Sequence, residues 1–187
     1  LALKNVGASV RARLLRMAQE RHDSFEGLLV RYVHERFLYR LSRSAHGSRF
    51  TLKGALLFAV WGSEIPRATR DLDFLCRGDA SPDALAGVFR DVCQIAEDDG
   101  VVFDAKSVSA EQIREHQAYG GIRVVLRAAV DRARVRVQVD VGFGDAVDPP
   151  AERATYPALL DAPAPIVMVY PREVVIAEKF QAMVDLG

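Results

Sequence analysis

Apolar residues recur at helical spacing in the first quarter of the chain and at strand spacing further on. Val10, Leu14, Leu15, Met17 and Ala18 predict a helix over 8–21. A broader stripe, Leu28, Leu29, Tyr32, Val33, Phe37, Leu38 and Leu41, predicts a second helix over 25–44. Ser24 offers it an N-cap, and the Ser- and Gly-rich loop 42–48 ends it. The opposite face of this helix carries Arg31, Glu35, Arg36, Arg40 and Arg43 and reads as a solvated basic surface. Phe50–Leu52 is a short extended piece, Ala55–Trp61 is helix-compatible, and Pro66 breaks the chain before Asp71–Leu75, which alternates like a strand. Ser81 followed by Pro82 opens a helix over 82–97. Val101–Val108, Ile122–Val130 and Arg134–Val141 are rich in Val and Ile and predict strands. Six of the eight prolines fall in 142–171, which reads as a winding connection, and Glu173–Leu186 closes as a helix. The pattern is α+β: a mixed β-sheet flanked by helices, with an N-terminal helical segment.

Composition narrows the class. Half of the 187 residues are apolar and 27% are charged, as in a soluble globular protein. No apolar run approaches the ~20 residues of a membrane span, and Leu1–Val10 lacks the features of a signal peptide. Cys76 and Cys93 give neither a disulfide framework nor a CxxC pair, so a cytoplasmic location is the expectation. The net charge of zero conceals an asymmetry. Residues 1–53 hold 11 Lys/Arg against 4 Asp/Glu, and the remainder holds 14 against 21. A basic segment beside an acidic one points weakly to a polyanionic partner for the first and to cationic ligands for the second.

The acidic residues carry the most specific chemistry. On a strand, residues two apart share a face, so Asp71 and Asp73 project together while Leu72 and Phe74 enter the core. Two carboxylates held that close repel each other unless a cation or proton sits between them, and a hard dication with oxygen ligands resolves the repulsion. In the strand 134–141, Val135, Val137, Val139 and Val141 make one face and Arg136, Gln138 and Asp140 the other. If the two strands are neighbours, Asp140 joins the pair in a three-carboxylate site able to hold two metal ions. Phosphate-binding candidates flank these residues. Leu52-Lys53-Gly54-Ala55 looks like a strand end turning into a helix, where Gly54 allows close backbone approach and Lys53 adds charge. Lys179, beside the apolar face of the last helix, reaches phosphate as a point charge or snorkels at the surface. His22, His34, His46 and His116 lack HxxxH or HExxH spacing and read as packing or surface residues; Trp61 and the phenylalanines read as core.

In order along the chain, Leu52-Lys53-Gly54, Arg67-Ala-Thr-Arg-Asp71-Leu-Asp73, Gln138-Val-Asp140-Val and Tyr170-Pro-Arg-Glu173-Val-Val-Ile-Ala177-Glu178-Lys179 resemble the nucleotidyltransferase AbiEii toxin family. That family is a branch of the DNA polymerase β-like nucleotidyltransferases that includes the MenT toxins. The resemblance implies an N-terminal helical segment over 1–49 and a nucleotidyltransferase core over 50–187. It implies that Asp71 and Asp73 bind Mg2+ (or Mn2+), that Lys53, Gly54, Ala55 and Lys179 lie near the phosphates of an NTP, and that Arg67 and Thr69 shape the turn before the metal strand. Asp140 matches the strand position of a third carboxylate. Two departures stand out: Ala55 occupies a position where the family usually has a second glycine, and the Lys-Asp-x-x-Asp-like segment that follows the Ala-Glu-Lys helix in the family does not occur in these 187 residues.

Toxins of this kind, the resemblance further implies, add nucleotides to the 3′ end of tRNA, block aminoacylation and are neutralised by a cognate antitoxin. The arginine-rich N-terminal helices would then supply salt-sensitive contacts to RNA. Two alternatives stay open from sequence: the same fold acting on a protein or small-molecule acceptor, and a non-catalytic binding module of the same shape.

Overall fold

The computed structural model describes residues 5–62, 69, 71–78, 81–113, 120–144 and 147–186, with the side chains of 178, 179, 181, 182, 185 and 186 outside that set. Helices α1 (Val6–Arg21) and α2 (Phe25–Arg43) lead into strand β1 (Phe50–Lys53). A 3-10 turn (Gly54–Leu56) and the short α3 (Leu57–Val60) precede β2 (Asp71–Cys76), α4 (Pro82–Gln94), β3 (Val101–Ile113), β4 (Gly121–Val130) and β5 (Ala133–Phe143). Then come β6 (Glu152–Thr155), β7 (Ile166–Val169) and α5 (Arg172–Leu186). The expected α+β architecture is present. One mixed seven-stranded sheet runs in the order β3-β4-β5-β2-β1-β7-β6.

Local chemistry sets the element ends. Asn5 and Ser24 accept from backbone N–H groups of the first turns of α1 and α2, and Ser81 does the same for α4 ahead of Pro82. His22 ends α1 in the left-handed conformation. In β5, Val135, Val137, Val139 and Val141 are all buried, against Leu72 and Phe74 of β2 and Ile122, Val124 and Leu126 of β4. Phe37 of α2 stacks on Phe89 of α4, and Phe50 meets Phe74 and Phe89 edge-on, which ties both helices to one face of the sheet. On the other face, along β2, β5 and β4, Asp71, Asp73, Asp140 and Arg123 keep partial exposure and Arg127 and Arg136 are exposed.

Helix α2 departs from its expected two-sided character. Glu35 and Arg36 are fully buried and Arg40 is 2% exposed. Arg40 makes a two-pronged ion pair with Asp99 (2.6 and 3.0 Å) and also donates to the Ile95 and Val101 carbonyls. Glu35 accepts from the Leu159 N–H at 2.7 Å, and Arg36 donates to the Pro163 carbonyl at 2.7 Å. The helix is covered on two sides because the proline-rich connection folds back over it. That connection is also more ordered than a winding loop. It contributes β6 and β7, which pair with each other, while β7 runs parallel to β1. Four-residue strands among prolines leave little periodic signal. Phe58 and Phe180 depart from the expected core role, at 38% and 65% exposed. Among the described residues, no helix is long and apolar enough to cross a membrane.

Candidate active site

The open face of the sheet brings the acidic residues into one row. Register aligns Lys53 of β1 with Asp73 of β2, Asp73 with Asp140 of β5, Asp140 with Arg123 of β4, and Arg123 with Glu111 of β3. One rung away, Asp71 aligns with Gln138. Leu72 and Phe74 are buried while Asp71 and Asp73 keep partial exposure, so both carboxylates project to the same open face, as their spacing requires.

Gly54 explains how this fits beneath β1. It takes a φ of 72°, and a Cβ added there would collide with the Asp73 carboxylate. A glycine is therefore demanded twice, by the backbone and by the close approach of Asp73. Lys53 stretches across β2: a Cβ at Gly142 of β5 would stand 3.6 Å from Lys53 Nζ. Its ammonium thus crosses β2 and reaches Gly142, one rung beyond Asp140. Ala55 belongs to the 3-10 turn, and α3 beyond it has four residues, too short to build an appreciable helix dipole. The phosphate-facing helix expected here is thus a tight turn with one lysine.

Asp140 lies beside Asp73 but is already engaged. Arg123 donates to both of its oxygens at 2.8 Å, and Gln138 Nε2 approaches at 3.5 Å. These hydrogen bonds hold the Arg123 guanidinium protonated above its ordinary range; partial burial opposes this, and the charges of Asp140, Asp71 and Glu111 add to it. Among the described residues, no three His, Cys, Asp or Glu side chains form a cluster able to hold a metal ion. Asp71 and Asp73, on one face of β2, are the candidate donors, and Asp140 beside Asp73 is held by Arg123. Two carboxylate donors on one face suit a hard dication that keeps most of its sites for water and phosphate oxygens. Thr69 lies just before β2 with its hydroxyl buried. Arg67 lies outside the described residues, as does the side chain of Lys179, whose backbone belongs to α5.

Arg123 was not singled out from sequence. The available signal was the hairpin: β4 and β5 are joined by Asp131-Arg132, and Asp131 adopts a φ of 53°, which Asp tolerates. Counting back equally from that turn places Arg123 opposite Asp140.

Comparison with known proteins then decides the family. Residues 36–187 match the model of the family described as nucleotidyl transferase AbiEii toxin, type IV toxin–antitoxin system. The chain belongs to that family. Two Helicobacter pylori crystal structures share the fold of this AbiEii-family chain. One is a proposed nucleotidyltransferase, with a TM-score of 0.50 and 16% identity over 83% of this chain and 58% of that one. The other is JHP933, with a TM-score of 0.51 and 16% identity over 83% of this chain and 56% of that one. The AbiEii-family chain thus spans under two thirds of either protein. A search of curated proteins gives no match.

Proposed function

We propose that this AbiEii-family chain transfers a nucleoside monophosphate from an NTP to the 3′-terminal hydroxyl of tRNA, blocking aminoacylation until a cognate antitoxin protein neutralises it. The observation that carries this reading is the pairing of Asp71 and Asp73 on the open face, with Gly54 stripped of a side chain against Asp73. NTP and Mg2+ are both plentiful in the cytoplasm, where we place the reaction.

The acceptor hydroxyl oxygen forms a bond to the α-phosphorus, the α–β bridging P–O bond breaks, and pyrophosphate leaves. Mg2+ or Mn2+, when bound, would neutralise charge developing on the phosphate oxygens and lower the pKa of the attacking hydroxyl. Asp71 and Asp73 would hold the cation at the sheet face. Lys53, whose ammonium reaches across β2, would meet a triphosphate oxygen, and Gly54 and Ala55 would let it approach the backbone. Lys179 is assigned the same task from α5, and Arg67 and Thr69 the support of the turn before β2. Asp140 takes up the hydroxyl proton or adds a metal donor only once its pair with Arg123 opens.

Incubation with each α-labelled NTP in turn, Mg2+ and total tRNA tests this. Label at the 3′ end of tRNA is expected. Label on protein or on a small molecule would reassign the acceptor, and no label on any of the three would leave a binding module in place of a transferase.

A further inference from the structure

Beyond the row of carboxylates, the hairpin β4–β5 presents three arginines on the same open face. Arg127 and Arg136 stand directly opposite each other across the two strands, and Arg134 occupies the next rung, opposite Ala129. All three are exposed. Like charges placed directly across an antiparallel pair destabilise it. Among the described residues, none of the three forms an ion pair with a carboxylate. Arg136 instead donates to Gln138 at 3.0 Å, and Asp104, which aligns with Arg127, accepts from the Lys106 N–H. Of the helical arginines expected to meet RNA, Arg36 and Arg40 lie in the interior and Arg13 pairs with Asp161, while Arg11, Arg16, Arg21 and Arg43 stay exposed.

The arginines also line a continuous path. A cavity of about 430 Å³ lies among Ser107, Ser109, Val125, Arg127, Arg134 and Arg136. A second, of about 410 Å³, shares Arg134 and Arg136 with the first, reaches Gln138 and Asp71, and is bounded by Glu26, Leu29 and Val30 of α2. Six residues of extended strand separate Arg134 from Asp140, roughly 20 Å, room for a few nucleotides.

We propose that this arginine rung is the surface on which the single-stranded 3′ end of the RNA acceptor lies, its phosphates held by Arg127, Arg134 and Arg136. The inference rests on the transferase reading above and names the surface for its substrate. Guanidinium forks match phosphate oxygens two at a time, which offsets the repulsion between Arg127 and Arg136. An acidic protein is the poorer occupant, because the path ends at Asp71 and Asp73, where further carboxylates would be repelled. A strand ending in a neutral hydroxyl meets arginines along its phosphates and the carboxylate pair only at its tip.

The test is fluorescence anisotropy of a labelled single-stranded RNA of about ten nucleotides, without NTP, in the intact chain carrying Asp73→Asn so that no turnover intervenes. Arg127→Gln/Arg136→Gln is expected to weaken binding roughly ten-fold and to flatten the slope of log Kd against log salt by about 1.4, near 0.7 for each phosphate left without its arginine. Arg16→Gln, on the exposed side of α1, is expected to leave both unchanged. Unaltered affinity and slope in the double variant, or a loss that appears in Arg16→Gln instead, would overturn the assignment. If the double variant binds RNA normally while the wild type labels tRNA, this surface falls and the transferase reading survives. If binding falls as expected but the wild type labels nothing, the surface stands and the transferase reading fails.

Discussion

Alanine at position 54 would carry two separable costs. Gly54 and Gly62 both take a φ of 72°, but a Cβ at Gly62 meets nothing within 4 Å among the described residues, whereas one at Gly54 collides with the Asp73 carboxylate. The backbone penalty for a non-glycine residue in the left-handed region is about 1–2 kcal/mol and applies equally to both. At position 54 the Asp73 side chain must also leave its rotamer, about 0.5–1.5 kcal/mol more. Gly62→Ala should therefore lower Tm by roughly 2–8 °C, and Gly54→Ala by a few degrees beyond that. The functional outcomes separate more sharply. Gly54→Ala displaces one of the two carboxylates proposed to hold the metal and should abolish Mn2+ binding read by EPR; Gly62→Ala should leave it intact. In an Asp73→Ala background the carboxylate is gone, so adding Gly54→Ala should cost only what Gly62→Ala costs in the wild type. Calorimetry and Mn2+ titration of the wild type, the three single variants and the double variant decide the matter. A Gly54→Ala protein as stable as Gly62→Ala and binding Mn2+ like the wild type would refute the close approach of Asp73.

Three further outcomes follow from the interior and from the row. His34 is fully buried, and burial lowers its pKa from 6.5 to about 4. Between those values the unfolded chain binds the extra proton, so stability should decline as pH falls from 6.5 towards 4, by on the order of 3 kcal/mol. His34→Leu should flatten that dependence in urea titrations across the window; an unchanged slope would exclude His34 as its source. Arg40→Ala leaves Asp99 buried without its guanidinium and should cost about 3–5 kcal/mol; a loss below about 1 kcal/mol would contradict the buried pair. Arg123→Gln removes the guanidinium from Asp140 beside Asp73, and Mn2+ should then bind roughly ten-fold tighter without nucleotide, the effect of about 1.4 kcal/mol of added attraction. Unchanged Mn2+ affinity would place Asp140 out of reach of the metal.

Where side-chain alternation had one partner to satisfy, the fold was legible from the chain alone. The four valines of β5 and the Asp-Leu-Asp of β2 sorted correctly into buried and open faces because a strand has only two sides. A helix has more. The polar residues Glu35, Arg36 and Arg40 looked solvent-facing, and only the tertiary return of the 156–165 connection and the position of Asp99 show that they are satisfied internally. The same limit applied at the site. The spacing of Asp71 and Asp73 and the turn at Lys53-Gly54 make these residues candidates from the chain alone, yet the grip of Arg123 on Asp140 and the facing of Arg127 with Arg136 depend on register, which no single strand encodes.

The central claim is that Asp71 and Asp73 together hold a divalent cation with the triphosphate. Titration of Mn2+ with a non-hydrolysable NTP analogue into wild type, Asp71→Asn and Asp73→Asn, followed by EPR with circular dichroism as a control for folding, tests it most directly. The expected result is saturable joint binding in the wild type, weakened at least ten-fold in each variant, with the folded spectrum unchanged. Equal affinity in all three proteins would contradict it.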